Sequence, residues 1–585
     1  MASTTDTAPA IGIDLGTTNS CAAIHDGTRP RVISSNLGYA TIPSVLTFDR
    51  EGGCVVGQQA ERQMVLHPAS CIYGSKRLLG RACVPGTLER FQPHFAYELV
   101  GDAEGFIAAR IHDQTVPLVD VAARILRALR EAAEAALGKR VERAVITVPA
   151  YFHENQRALV RQAGQLAGLE VLQIINEPTA AALSFGAKRD EQKRVLVFDL
   201  GGGTFDVSIV ELAGGELNVV GVDGDSFLGG LDFDTRLCAI VQQKLATRLG
   251  KKELELDTIA RARLLAAARS AKHELSGHAQ TTIELRCLSL PDGSMVNVQE
   301  QVSAAEYEAA CAELLSRTHA VIKRALDRSR LRPQDIQEVL LVGGQTRMPA
   351  VERQLVEFFG KKPSKRVHPD EAVALGAAIA AYARDGHTPS VVRDMLPMPI
   401  GTARADGQFQ PLIPRNAALP AEVTVRVTAQ PVGTTLHLPL FQGDGSHAFD
   451  NEVLGAITFN GVSGKRGPVD LSVTLRLDAE GLLTASARQA GTAQEQTVQL
   501  SSNHVPTALL AEVVQSRLEV TVEAPNAKAS NAKAQGPAAQ GKAASTTKAP
   551  TTAKADATGR GPASARKEVE KPGFWQRLMG FFRRT

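Results

Sequence analysis

The chain is poor in aromatic residues, which make up 4% of it, and its one tryptophan, Trp575, lies close to the end. No apolar run approaches the roughly 18 residues expected of a membrane-spanning helix. The opening "MASTTDTAPA" has neither the basic nor the apolar region of a secretory signal, so export is not expected. Neither sign of charge dominates: 65 Lys and Arg stand against 62 Asp and Glu. That balance gives no whole-chain argument for nucleic acid or for a membrane surface. The cysteines, Cys21, Cys54, Cys71, Cys83, Cys238, Cys287 and Cys311, are scattered, odd in number and without metal-ligand spacing. They read as reduced thiols of a cytoplasmic protein rather than a disulfide framework.

What is present divides the chain. At 585 residues it is long enough for several packed domains. After a flexible start (1–9), residues 10–386 alternate short Val/Ile/Leu runs with helical patterns such as "LVDVAARILRALREAAEAALG", the pattern of a large α/β unit. A linker (387–397) leads to period-two strands, "EVTVRVTAQ", "TTLHLPLF", "VDLSVTLRLD" and "LLTASAR", which predict a β-sandwich over 398–505. One short helical pattern, "PTALLAEVVQSRL", places a helix at 506–520. Residues 521–570, rich in Ala, Lys and Thr, have too little apolar surface to offset the entropy of ordering and are expected to be disordered. The last segment, 571–585, regains aromatics and cations and contains a basic amphipathic helix pattern, with Phe574, Trp575, Leu578, Phe581 and Phe582 on one side.

Two stretches carry the chemistry. "AIGIDLGTTNSCAAI" and "VLVFDLGGGTFDVSIVEL" are each a strand, a tight turn and a strand. Glycines at such turns let backbone N–H groups approach phosphate oxygens, and Thr17, Thr18 and Thr204 add hydroxyl donors. An aspartate at each strand end, Asp14 and Asp199, suits a hydrated Mg²⁺. Two such hairpins face to face would clamp a polyphosphate. Neither is a Walker loop or a dinucleotide-binding turn. A third element, "EVLLVGGQTRMPAVERQLVEFF", turns from strand to helix through Gly343 and Gly344, which suits a nucleoside against bare backbone and equally an ordinary βα turn.

With "SKRLLGR", "VITVPAYFHENQR", "GLEVLQIINEPTAAALSFG", "GDSFLGGLDFD" and "HPDEAVALGAAIAA" in the same order, the sequence over about 10–505 resembles the seventy-kilodalton heat-shock chaperones of the DnaK type, as a divergent bacterial member without the helical lid. The resemblance implies an actin-like ATPase domain of two related lobes, followed by the sandwich and the tail. It implies ATP/ADP and Mg²⁺ as cofactors, with K⁺ as a further candidate, and slow ATP hydrolysis that modulates the binding of extended apolar client segments. Lys76, Glu177, Asp199 and Thr204 would be catalytic; without the resemblance Lys76 would read as a surface lysine. Asp14 and Asp199 would hold the metal through water. Gly16, Thr17, Thr18, Gly201, Gly202 and Gly203 would clamp phosphate, and Lys272, Ser276, Gly343, Gly344, Arg347 and Asp370 would hold the nucleoside. Pro149, Arg157, Val391, Val392 and Asp394 would couple the domains. Leu436 and Leu438 would meet the peptide.

The departures are specific. Arg269 and Leu231 stand where the family commonly has Glu, which predicts altered nucleotide affinity. Gln173 replaces an Arg associated with J-domain partners, which weakens the expectation of a standard J-domain protein and nucleotide-exchange factor. Arg393 interrupts the aliphatic linker. A buried unpaired guanidinium would cost several kcal/mol, so Arg393 must reach solvent or a partner, and coupling is expected to be weaker. Thr402 and Ala405 replace large apolar residues over the peptide, which predicts an open, lidless pocket. The competing reading is an uncoupled holdase or a regulatory, nucleotide-exchange partner of an orthodox chaperone, recruited through its tail. The tail is expected to dock on a partner protein, on the chain's own cleft or at the inner face of a membrane, and no nucleic acid is expected.

Overall fold

In the computed structural model the residues described are 8–35, 37–84, 86–186, 192–366, 368–387, 391–404, 406–429, 435–460, 469–489, 495–498 and 519–522. Most of the expected helix at 506–520, the tract from 523 to 570, the segment 571–585 with Phe574, Trp575, Leu578, Phe581 and Phe582, and Ala405 lie outside them.

Two sheets of matching topology form the frame. In the first, Ala10–Asp14 lies parallel to Arg143–Val148, which is parallel to Glu170–Asn176, and antiparallel to Asn19–His25, which leads to Pro30–Ile33. In the second, Lys193–Leu200 is parallel to Glu338–Val342 and antiparallel to Phe205–Ala213, which leads to Glu216–Asp225. In both, the hairpin turn carries a Gly/Thr motif. The central strands are apolar through their middles, as strands covered on both faces must be; Val195 to Val197 are 0% exposed.

Between the sheets the helices Glu177–Phe185 and Ala372–Arg384 pack through small residues, among them Ala180, Ala181 and Ala377. Two glycines allow backbone-to-backbone contact. A Cβ on Gly376 would lie 1.7 Å from the Ala180 carbonyl oxygen, and one on Gly12 would lie 2.0 Å from the Ala378 nitrogen.

The β-sandwich is formed by Phe409–Ile413, Ile400–Ala403, Thr435–Gln442 and Glu452–Asn460 against Glu495–Val498, Leu483–Gln489, Val469–Leu477, Ala421–Ala429 and Glu519–Val522. Its alternation is the one read from sequence: Leu471, Val473, Leu475 and Leu477 point inward. Glu519–Val522 corrects the expected boundaries. This segment is a strand paired antiparallel with Ala421–Ala429, so Glu519 and Val520 are not helical and Thr521 and Val522 belong to the sandwich. Its alternating β-branched residues favour an edge strand over a helix end.

The linker is ordered at Val391–Arg393, which adds to the second sheet as a strand parallel to Glu216–Asn218. Arg393 costs nothing here, because its side chain is 63% exposed and its Nη2 lies 3.4 Å from Glu216 Oε2. The interruption of the aliphatic run therefore does not prevent the linker from pairing. The described residues all fall within one compact unit that ends at Pro525, with the sandwich packed on the first sheet's side.

Gly12→Ala is expected to lower unfolding stability by about 2–4 kcal/mol, because backbone must move to admit the methyl group. Gly138→Ala, at φ 63° with no atom in its way, is expected to cost about 1–2 kcal/mol of backbone strain alone. Urea denaturation of the two variants measures the difference.

Candidate functional site

A cavity of about 360 Å³ opens between the sheets, and the two Gly/Thr hairpins meet along it. They are in contact: a Cβ on Gly202 would strike the Thr18 hydroxyl at 1.9 Å, and one on Gly203 would strike Thr17 at 2.5 Å. Gly16, Thr17, Thr18, Gly201, Gly202 and Thr204 line the cavity, whereas Gly203 does not. Its carbonyl instead accepts a bond from Arg77 Nε at 2.7 Å.

The acids come from strand and helix ends. Asp14 closes Ala10–Asp14, Asp199 lies near the end of Lys193–Leu200, and Glu177 opens the helix Glu177–Phe185. Asp206, which the sequence reading missed, stands directly across the hairpin from Asp199. Like charges opposite one another in a sheet are unfavourable. Lys76, from the turn Ser75–Arg77, is the cation among them and pairs with Glu177, both nearly fully buried. Burial, followed by the Glu177 charge, raises Asp14 to about 7 and Asp206 to about 8, and raises Asp199 well above the usual carboxylate range.

This donor set fits Mg²⁺ held through water. Among the described residues no three acidic, His or Cys side chains are grouped to ligate a metal directly. Mg²⁺ characteristically keeps several waters and uses one or two carboxylates with substrate phosphates. An excess of buried acid over one lysine is what a divalent cation would relieve.

At the other end, Lys272 Nζ lies 2.8 Å from Asp234 Oδ1 and donates to the Gly230 carbonyl at 3.1 Å. Arg269 shares Asp234 at 3.1 Å and comes within 3.9 Å of Glu61. The departure at Arg269 thus gives Asp234 a second cation. Gly343, Gly344, Arg347, Asp370 and Ser276 line this end, with Arg347 paired to Asp370 at 2.6 Å. The Ser276 hydroxyl donates to the Lys272 carbonyl at 3.2 Å.

Arg77 was also missed. At 2% exposure it pairs with Asp232 and so ties the Ser75–Arg77 turn to the helix Gly230–Arg248. Its sequence, next to Lys76 in "SKRLLGR", gave no sign of burial.

Of the residues expected to couple the domains, Arg157 and Asp394 lie where the sandwich meets the sheets, whereas Val391 and Val392 pair with Glu216 and Leu217 at the edge of the second sheet. Arg157 Nη2 donates to Asn176 Oδ1 at 2.6 Å and to the Ala150 carbonyl at 3.2 Å, while Nη1 reaches the Glu480 carbonyl at 3.4 Å. Asn176 in turn donates to Asp394 Oδ2 at 2.7 Å, and Thr179 donates to the same oxygen at 3.2 Å. Pro149 ends the strand Arg143–Val148, two residues before Tyr151. The Tyr151 amide donates to Asp206 Oδ1 at 2.9 Å, and its hydroxyl donates to Asp444 Oδ2 of the sandwich at 3.0 Å. Asp444 also pairs with Arg415 and lies 3.6 Å from Arg328, which is itself paired with the fully buried Asp223.

Leu436 and Leu438 are placed differently from the expectation. At 2% and 0% exposure both pack inside the sandwich core, so in this structure neither faces an open groove. Alternate positions of one strand share a face, and here that face is the core. Thr402 is likewise fully buried, its hydroxyl donating to the Pro439 carbonyl at 2.8 Å.

The raised acids set a pH dependence. A folded-state carboxyl pKa above its unfolded value stabilises the fold at low pH, and that contribution is lost as pH rises through the folded value. The nucleotide-free protein is therefore expected to lose a few degrees of melting temperature between pH 6 and pH 8.5. Mg²⁺ with ADP is expected to remove most of that loss, and calorimetry with and without them checks it.

A family model described as Hsp70 protein matches residues 10–571. The family consists of ATP-binding, ATP-hydrolysing chaperones that act in protein folding with Mg²⁺ and engage unfolded polypeptides, J-domain proteins and exchange factors. Among the described residues no helix is long and apolar enough to cross a membrane. With nearly the whole chain matched and its facing Gly/Thr hairpins set around buried acids and one lysine, this protein belongs to the Hsp70 family.

Proposed function

We propose that the chain is a slow ATPase whose two related sheets form actin-like lobes, and that hydrolysis modulates its affinity for extended apolar segments of unfolded proteins. The observation that carries this reading is the Tyr151 contact, which joins a carboxylate of the site to the sandwich through one residue.

Water is the nucleophile. The facing Gly/Thr hairpins position the phosphates through backbone N–H groups and hydroxyls. Lys76, held by Glu177, supplies positive charge where the transferred phosphoryl group gathers negative charge. Glu177 is placed to orient the attacking water. When bound, Mg²⁺ would neutralise phosphate charge; Asp14 and Asp199 would hold it through water, with Asp206 directly across the hairpin from Asp199.

Client affinity can follow nucleotide state only if the two states differ in free energy for the client. The sandwich touches residues on both sides of the cleft: Asp444 takes Tyr151 from the first sheet's side and Arg328 from the second sheet's side. A rotation of one sheet against the other breaks one of those contacts. Asp394, buried with its carboxyl raised by burial, ties the linker to Asn176 and through it to Arg157. The paired linker supports a coupled chaperone over an uncoupled holdase.

Lys76→Ala is expected to lower turnover by at least 100-fold while nucleotide affinity changes little; undiminished hydrolysis overturns the catalytic assignment. Asp444→Ala is expected to retain basal hydrolysis and to shrink, at least fivefold, the difference between peptide affinity in ADP and in ATP. Fluorescence anisotropy of a labelled apolar heptapeptide measures it, and an unchanged difference removes Asp444 from the coupling path.

A further inference from the structure

The sandwich strand Ala421–Ala429 has nine residues, and the strand beside it on its outer edge, Glu519–Val522, has four. The pairing runs from Val425 opposite Val522 to Thr428 opposite Glu519. Opposite Ala421 to Thr424 no described strand lies on that side. Glu519–Val522 does not follow from a neighbouring strand of the sheet; it is reached only after residues 499–518. Val520 is only half-buried against the core, Thr521 is exposed, and the Val520 carbonyl accepts a bond from Gln410 at 2.7 Å. Beneath it, Val425 and Val427 are 0% exposed, and Val423 is partly packed on the same core.

We propose that the outer edge of Ala421–Ala429 is an acceptor site for an extended polypeptide and that Glu519–Val522 is its exchangeable resident. A strand edge offers a row of backbone donors and acceptors that any extended chain can satisfy. An incoming strand of eight residues forms about twice the pairing of the resident four, so it gains where the resident is short. Its chemistry follows from the register: apolar side chains in alternate positions opposite Val423, Val425 and Val427, with polar ones between. The resident "EVTV" has this pattern. The site lies on the sheet opposite the one that holds Leu436 and Leu438, so it is separate from the groove expected there.

The test uses the full-length chain. The probe is a fluorescein-labelled peptide with the sequence of residues 517–524, Arg-Leu-Glu-Val-Thr-Val-Glu-Ala, with a scrambled peptide as control. Val520→Pro removes a backbone donor and weakens the resident. It is expected to bind the peptide at least tenfold more tightly than the parent, with the scrambled peptide bound no better. The pair Arg426→Cys and Thr521→Cys, in a Cys287→Ser background, stands directly opposed and can be bridged. Oxidised, it is expected to bind no peptide; reduced, it is expected to regain parental affinity. Binding to the oxidised form, no gain in Val520→Pro, equal gain with the scrambled peptide, or dimerisation by exchange of Glu519–Val522 between two copies would each overturn the proposal.

Discussion

Four carboxylates share one buried lysine, and much of the molecule is arranged around that imbalance. Asp199 and Asp206 face each other across a hairpin, and Asp14 and Glu177 approach from the other sheet, with Lys76 between. In an empty cleft the cheapest resolution is to keep protons on some of the acids, and burial drives their affinities upward. Bringing in a cation with its polyphosphate resolves the same imbalance by charge rather than by proton. One of the four acids, Asp206, also accepts a bond from the amide of Tyr151, whose hydroxyl donates to Asp444 of the sandwich.

The two facing Gly/Thr hairpins were legible because their pattern is written in the backbone: glycines where no Cβ fits, threonines beside them and an aspartate at the strand end. Asp206 was not, because in "GTFDVS" it reads as one polar position of a strand. The hairpin register, which pairs it with Asp199, was the missing signal. Arg77 escaped for a different reason. Its partner Asp232 lies far along the chain, and a buried arginine is recognisable only once that partner is known. The sandwich was legible as alternation, but alternation tells which residues share a face and not whether that face meets core or groove, which is why Leu436 and Leu438 were assigned to the wrong surroundings. Glu519–Val522 was hidden between a helical pattern before it and an alanine-rich tract after it, although its own four residues alternate as a strand should.

Arg393 shows how a polar residue can sit in a linker strand without interrupting its backbone pairing. A guanidinium could not be buried in the linker, and it is not; an edge strand has one side open, and there it meets Glu216 while Val391–Arg393 keeps its backbone pairing. Backbone pairing tolerates a polar side chain that a continuous apolar contact would reject.

The helix layer between the two sheets has a mechanical character of its own. Where Gly12 meets Ala378 and Gly376 meets Ala180, backbone lies on backbone and the flanking residues are alanines. Large side chains would interlock as ridges in grooves and would have to climb over one another for the sheets to turn. Methyl groups on bare backbone instead make a smooth contact that resists separation, because any gap would lose close contacts. The same glycines that leave no room for a side chain therefore give this contact a surface with no interlocking ridges.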